Sequence, residues 1–142
     1  MGRKTPPCPE YPEWTTAKYF SLIRTGLRGA FSRWPPKHEA LKAAKQTVPV
    51  LDADGNHLCY KTGQKKGQLK YTTRYCCAAC DNLFPVKEVE TDHIVPAGSL
   101  RTYEDIVPFI QRLLCPVEGI QVLCTTCHKE KTKNDRERNK TT

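Results

Sequence analysis

Two cysteine pairs of identical spacing, Cys77-Ala78-Ala79-Cys80 and Cys124-Thr125-Thr126-Cys127, are the residues of this chain most able to do chemistry. A C-x-x-C segment presents two thiolates from one tight turn, and two such segments supply the four soft ligands of tetrahedral zinc. The spacing therefore predicts a structural zinc site formed by Cys77, Cys80, Cys124 and Cys127. A redox role is the weaker reading, because both pairs are accounted for by the metal. Forty-three residues separate the pairs, more than a zinc ribbon contains, so a further structural unit is expected between them. Cys76 stands beside Cys77 and competes for its place as a ligand. Cys8, Cys59 and Cys115 have no partner at ligand spacing and are expected to be buried thiols.

Between the pairs lies Thr91-Asp92-His93-Ile94-Val95-Pro96, and His128 follows the second pair directly. Either segment alone is commonplace. In order, C-x-x-C at 77–80, D-H-I-V-P at 92–96 and G-I-Q-V-L-C-x-x-C-H-x-x-K-T at 119–132 resemble the HNH endonuclease family, in the branch whose ββα-metal core is braced by four zinc-binding cysteines. The resemblance covers residues 72–134. The basic stretch from Phe20 to Ala44 also resembles the N-terminal region of some phage-encoded HNH proteins.

The resemblance implies that Asp92 and His128 bind one catalytic divalent ion and that His93 is the general base. It places 90–94 on a first strand, 121–123 on a second, and His128 on the helix that follows. The activity implied is a metal-dependent hydrolysis of phosphodiester bonds in DNA, by nicking or by double-strand cutting. The setting implied is a phage-encoded protein of the host cytoplasm, with a role in homing or in DNA packaging; the packaging role would bring the terminase as partner. The family's middle Asn, which braces the loop carrying the base, falls at Gly119, which implies lower activity, a substitute brace from Gln121 or Glu118, or an inactive relative kept for DNA binding. That departure supports a second reading, a catalytically weak or inactive zinc-dependent protein that binds DNA or assists packaging. Retention of Asp92, His93 and His128 favours the enzyme.

These residue types suit the reaction. A phosphodiester is anionic, and water supplies little hydroxide at neutral pH. A neutral imidazole, with an unperturbed pKa of about 6.5, can take the proton of the attacking water. The hard oxygen of Asp92 suits magnesium or manganese, and His128 widens tolerance toward other first-row ions. Such an ion stabilises charge on the phosphate and on the departing 3′ oxygen, leaving a 5′ phosphate.

The elements that must position these groups are legible in part. From Thr15 or Thr16, Phe20, Ile23, Leu27, Phe31 and Trp34 recur every three or four residues, an amphipathic helix closed by Pro35 and Pro36. A short second helix is expected through Glu39, Leu41, Ala44 and Lys45. Runs at 48–51 and 58–60 flank Asp52-Ala53-Asp54-Gly55-Asn56 as a hairpin with a long turn, and 61–70 reads as a loop. Val86, Val89 and Ile94 are expected in strands and Gly98 at a turn. Residues 102–114 read as a helical insertion with Tyr103, Ile106, Phe109, Ile110 and Leu113 on its apolar side, although Pro108 lies within it. The fold class expected is α+β: a ββα-metal core (72–134) stapled by zinc, a basic helical and hairpin extension (1–71) whose first 13 residues form a proline-rich arm, and a charged tail (135–142).

Charge follows the same division. The net charge is +8, and residues 1–75 carry 14 Lys and Arg against 5 Asp and Glu, while 76–142 carry 9 against 10. One part thus suits a polyanion, with Lys18, Arg24, Arg28, Arg33, Lys65, Lys66 and Lys70 as the candidate DNA contacts. No stretch approaches the roughly 18 apolar residues of a membrane span, and no apolar segment follows Arg3 and Lys4 as a secretory signal would require. A reducing, cytosolic compartment is expected, where paired cysteines hold metal rather than form disulfides.

Overall fold

The structure, a computed structural model, describes residues 7–140; the start of the expected proline-rich arm and the last two residues of the expected tail lie outside them. The architecture is α+β, and the chain divides into two compact units, each assembled from two separate segments. One contains the residues up to 39 and 93–120; the other contains 40–92 and the residues from 121 onward.

The first unit is helical. Helix α1 (Thr16–Ala30) begins where Thr15, in extended conformation, accepts a hydrogen bond from the backbone N–H of Lys18 (3.3 Å). It runs into a 3-10 turn at Phe31–Arg33, and Pro35 then opens helix α2 (Pro35–Ala44), where a missing N–H costs nothing. The division between the units falls within α2. Helix α3 (Ile106–Leu113) follows a 3-10 turn whose Thr102 and Asp105 form a reciprocal capping box. Pro108 sits in its first turn, so it breaks no hydrogen bond and the helix runs on. The two apolar stripes expected from the sequence meet: Phe20 joins Ala97, Leu100, Phe109 and Leu113 in one buried cluster, with Ile23, Leu27, Phe31 and Ile106 packed against it. Gly98, at φ +86°, makes the expected turn.

The second unit carries the sheets. Strand β1 (Lys45–Pro49) pairs antiparallel with β2 (Tyr71–Cys76), which pairs in turn with the two-residue β3 (Leu83–Phe84). The expected hairpin forms, but its strands begin earlier and pair further away. Val48 lies opposite Thr72, and the 50–60 segment continues the ladder through Leu58 N to Val50 O (2.8 Å) and Lys70 N to Leu58 O (2.8 Å). Asp52 ties the turn by accepting from the N–H groups of Asp54 and Asn56. Those bonds, led by Asn56, hold its carboxyl below the usual range.

Strands β4 (Val89–His93) and β5 (Ile120–Cys124) form a two-stranded ribbon, and helix α4 (Thr125–Lys140) starts directly after β5. The boundary between the units crosses this ribbon after Asp92 and before Gln121. Two strand assignments need correcting. Val86 lies in a 3-10 turn and is exposed, and Ile94 stands just beyond β4, also exposed. Pro85 presets the turn at Val86, and local apolarity does not distinguish a short strand from such a turn.

Candidate functional site

The four cysteines of the two pairs lie together in the second unit, their sulfur atoms all within 4.8 Å of one another. The first pair is turned by Asp81, whose φ of 60° is a left-handed conformation that Asp tolerates, with its N–H donating to Cys77 O (2.9 Å). The second pair spans the end of β5 and the first turn of α4, so the N–H of Cys127 points at Cys124 Sγ (3.4 Å). Ala78 N donates to Val122 O (2.8 Å) and joins the two turns. Cys77 rather than Cys76 joins the cluster, since the Cys76 thiol turns to the carbonyls of Cys77 and Asp81.

The donor set fits a soft divalent cation on electrostatic grounds. Burial pushes the Cys77 thiol up, but the N–H groups of Cys124, Cys80 and Ala79 outweigh it and lower its pKa to about 6. Its neighbours move the other way. Hydrogen bonding with the Cys124 thiol, then burial, push Cys127 up to about 12, and Cys80 is also raised. Four sulfurs at this spacing cannot all ionise beside one another, and a bound cation removes that conflict. The cluster can therefore hold a metal such as zinc. The three remaining cysteines are not the buried thiols expected: Cys59 is exposed and Cys8 and Cys115 are partly exposed.

Also in the second unit, β4 and the first turns of α4 bring together a polar cluster. Alternation along β4 puts Glu90 and Asp92 on one face and Val89, Thr91 and His93 on the other. His128 Nδ1 lies 2.8 Å from Glu90 Oε2, and its Nε2 lies 3.5 Å from Asp92 Oδ1. The Glu90 carboxylate can only accept, so in the neutral ring Nδ1 carries the proton and Nε2 turns a lone pair toward Asp92. Two electron-pair donors then face each other across a span that two ligands of one ion can occupy. The carboxylate on the far ring nitrogen is the outer partner that fixes a metal-binding histidine. The other Asp92 oxygen accepts from Lys131 Nζ (3.1 Å) and Gln121 Nε2 (3.3 Å), so Gln121 steadies this aspartate. Burial lowers the Lys131 pKa, but Asp135 (2.9 Å) and Asp92 outweigh it and raise it, so the ammonium stays charged. Glu90 and Lys131 were not singled out from the sequence, although Glu90 precedes Asp92 by a strand period and Lys131 follows His128 by a helical one.

His93 belongs to the first unit and is buried, 9% exposed. Its Nε2 lies 2.7 Å from Leu113 O, and the Phe31 ring packs against it with centroids 4.3 Å apart. A carbonyl only accepts, so Nε2 carries the proton and Nδ1 keeps the lone pair. Next to it, Ile94 N donates to Gly119 O (2.9 Å), a brace from the backbone of Gly119. A side chain at Gly119 has no room, since a Cβ there meets Cys115 Sγ at 2.8 Å. Cys115 is itself held by Trp34, whose Nε1 donates to its carbonyl (2.7 Å), and burial raises its thiol pKa.

The candidate DNA contacts are shared between the units. Lys18, Arg24, Arg28 and Arg33 lie on or just after α1, and Lys65, Lys66 and Lys70 in the second unit. Arg24 Nε is buried without a hydrogen-bond partner among the described residues, and burial together with the Arg24 charge lowers the Arg28 pKa. An anion would relieve both. No described helix is long and apolar enough to cross a membrane.

Comparison with protein-family models, with curated proteins and with solved structures finds no significant match.

Proposed function

We propose that this chain is a metal-dependent DNA endonuclease of the HNH type, hydrolysing phosphodiester bonds with residues 72–134 as its nuclease core. The observation that carries the reading is the Glu90–His128–Asp92 arrangement, with Glu90 Oε2 2.8 Å from one ring nitrogen and Asp92 Oδ1 3.5 Å from the other; in the neutral ring held by Glu90, the nitrogen facing Asp92 can bind a metal. Asp92 and His128 would hold a magnesium or manganese ion, which supplies charge stabilisation at the phosphate and the leaving oxygen. Their two donors leave the rest of the shell to water and substrate, as magnesium prefers.

As the HNH resemblance implies, His93 would take the proton of the attacking water, and Nδ1 is the ring nitrogen left for it when Leu113 O holds Nε2–H. Lys131, charged and beside Asp92, offsets negative charge on the phosphate. Cations such as Lys18, Arg24, Arg28 and Arg33 grip the backbone of the duplex. Zinc on the four cysteines is structural and takes no part in the reaction.

The reading is tested with supercoiled plasmid incubated with the zinc-loaded protein, with and without magnesium or manganese. Metal-dependent nicking is expected. His93→Ala should lose about 10²- to 10⁴-fold in rate with zinc content and DNA affinity intact, whereas Asp92→Ala and His128→Ala should shift the metal dependence upward. Wild-type cleavage by His93→Ala would refute its role. The second reading, a binding or packaging accessory protein without catalysis, draws on the filled space at Gly119. It takes over if no divalent ion supports cleavage of duplex, branched or single-stranded DNA.

A further inference from the structure

The second unit contains a groove that the hydrolytic reading leaves unused. It has a volume of about 670 Å³ and is lined by Tyr60, Lys65, Gly67, Gln68, Leu69 and Tyr71. The chain around it is chemically one-sided: residues 55–80 contain five Lys and Arg and no Asp or Glu. Among the described residues none of Lys61, Lys65, Lys66 and Lys70 forms an ion pair.

The aromatic groups are set in place. Tyr60 N donates to Gln68 O (2.9 Å) and Gly67 N to Tyr60 O (2.9 Å), closing a turn that Gly63 and Gly67 permit with φ of +82° and +86°. The ammonium groups of Lys65 and Lys70 lie 5.7 and 5.3 Å from the Tyr60 ring centroid. His57 is held by the Lys70 carbonyl (2.7 Å) and meets the Tyr71 ring edge-on at 4.9 Å. Tyr71 nevertheless remains 52% exposed, and Leu69, one strand period before it, 48%.

An exposed aromatic ring costs hydration, and a fixed one beside unpaired ammonium groups fits a ligand with both a flat apolar face and a negative charge. A nucleotide has both. In an intact duplex the base faces are already stacked on one another, so only unpaired nucleotides can use a tyrosine ring, while any nucleic acid can use the lysines. We propose that this groove binds unpaired nucleotides of DNA, with Tyr71 as the stacking platform and Lys65 and Lys70 on the phosphates. The inference rests on the nucleic-acid reading above and adds a substrate class: DNA with a single-stranded or frayed stretch next to the duplex.

The test measures binding by the full-length zinc-loaded protein with no divalent ion added, so cleavage plays no part. Fluorescence anisotropy compares oligothymidylate, oligouridylate and a blunt duplex of equal length. Tyr71→Ala should weaken oligothymidylate binding about 5- to 150-fold, the worth of one stacked base, and change duplex binding by less than about twofold. Tyr71→Trp should retain affinity and lose indole fluorescence on binding, a readout that misfolding of Tyr71→Ala cannot imitate. Lys65→Gln and Lys70→Gln should weaken both ligands and flatten the salt dependence by a slope of about 0.7 for each lost contact on the single strand and about 0.9 on the duplex.

Equal loss on duplex and single strand in Tyr71→Ala, or no loss on either, would overturn the proposal. So would preference for oligouridylate over oligothymidylate, or displacement of the oligonucleotide by a polyglutamate peptide at equal charge. If the chain proves not to be a nuclease, this binding pattern should still hold. If the groove is wrong but the nuclease reading right, metal-dependent plasmid nicking should stand while Tyr71→Ala binds oligothymidylate as tightly as the wild type.

Discussion

The two units solve the same stability problem by different means. In the first, α1 and α3 bury a continuous apolar cluster, with Phe109 fully enclosed and Leu113 2% exposed. In the second, the buried cluster consists of Leu123 and two of the four clustered cysteines, Cys77 and Cys124, with Phe84 and Cys127 against it. The residues of β1 and β2 are exposed or half-buried. A small apolar core supplies little stability, and a metal held by the four clustered cysteines would add to it.

Removing zinc, by chelation or by Cys80→Ser, is the largest break in that comparison. Structural zinc is worth on the order of 10 kcal/mol in small domains, so amide signals of the second unit should collapse. Signals from around Phe109 and Leu113 should survive, and their simultaneous loss would show that the first unit depends on the metal as well. Phe109→Ala reverses the experiment. It should destabilise by about 3–5 kcal/mol through the cavity it leaves, read by chemical denaturation, with zinc affinity unchanged.

Gly119→Asn sharpens the contrast further, because it restores the side chain that the HNH resemblance implies where Cys115 already fills the space. Overpacking should cost about 1–3 kcal/mol, and Cys115→Ala in the same chain should recover most of it; additive losses would deny that the two compete. Thr102→Ala is the smallest change, removing one half of the capping box before α3 for about 1 kcal/mol. Asp105, the other half, is held below the usual carboxylate range by N–H bonds from Arg101 and then Thr102, against a smaller effect of burial. Its contribution is therefore complete above the ordinary Asp pKa and disappears as pH falls through the depressed value. Thermal melts of the wild-type protein should fall across that acid range, and an Asp105→Asn variant should lack that fall.

What could be read from the sequence followed from how local each signal is. The stripe through Phe20, Ile23, Leu27 and Phe31 specifies a helix within four turns, and both stripes of the first unit found each other. The cysteine pairs carried their own geometry, down to Cys77 over Cys76 once the turn at Asp81 was known. Strand pairing was less legible: Val48 opposite Thr72 is a register fixed over 24 residues, and nothing near Val48 encodes it. Leu83–Phe84 is too short to alternate. Glu90 escaped notice because an exposed acid before a motif resembles any solvated charge, and only the 2.8 Å approach of His128 distinguishes it.

The discontinuous makeup of the units also governs when each can form as the chain is synthesised. The residues up to 39 emerge first, with the α1 stripe ready, but their partners in α3 begin only at Ile106. The 40–92 segment must likewise wait for β5 and for Cys124 and Cys127. Domains generally fold as soon as their own residues are available; here neither unit can close on the ribosome until the chain has passed residue 120, and both then close almost together. During that interval Phe20, Ile23 and Leu27 lack the apolar partners that cover them in the folded unit.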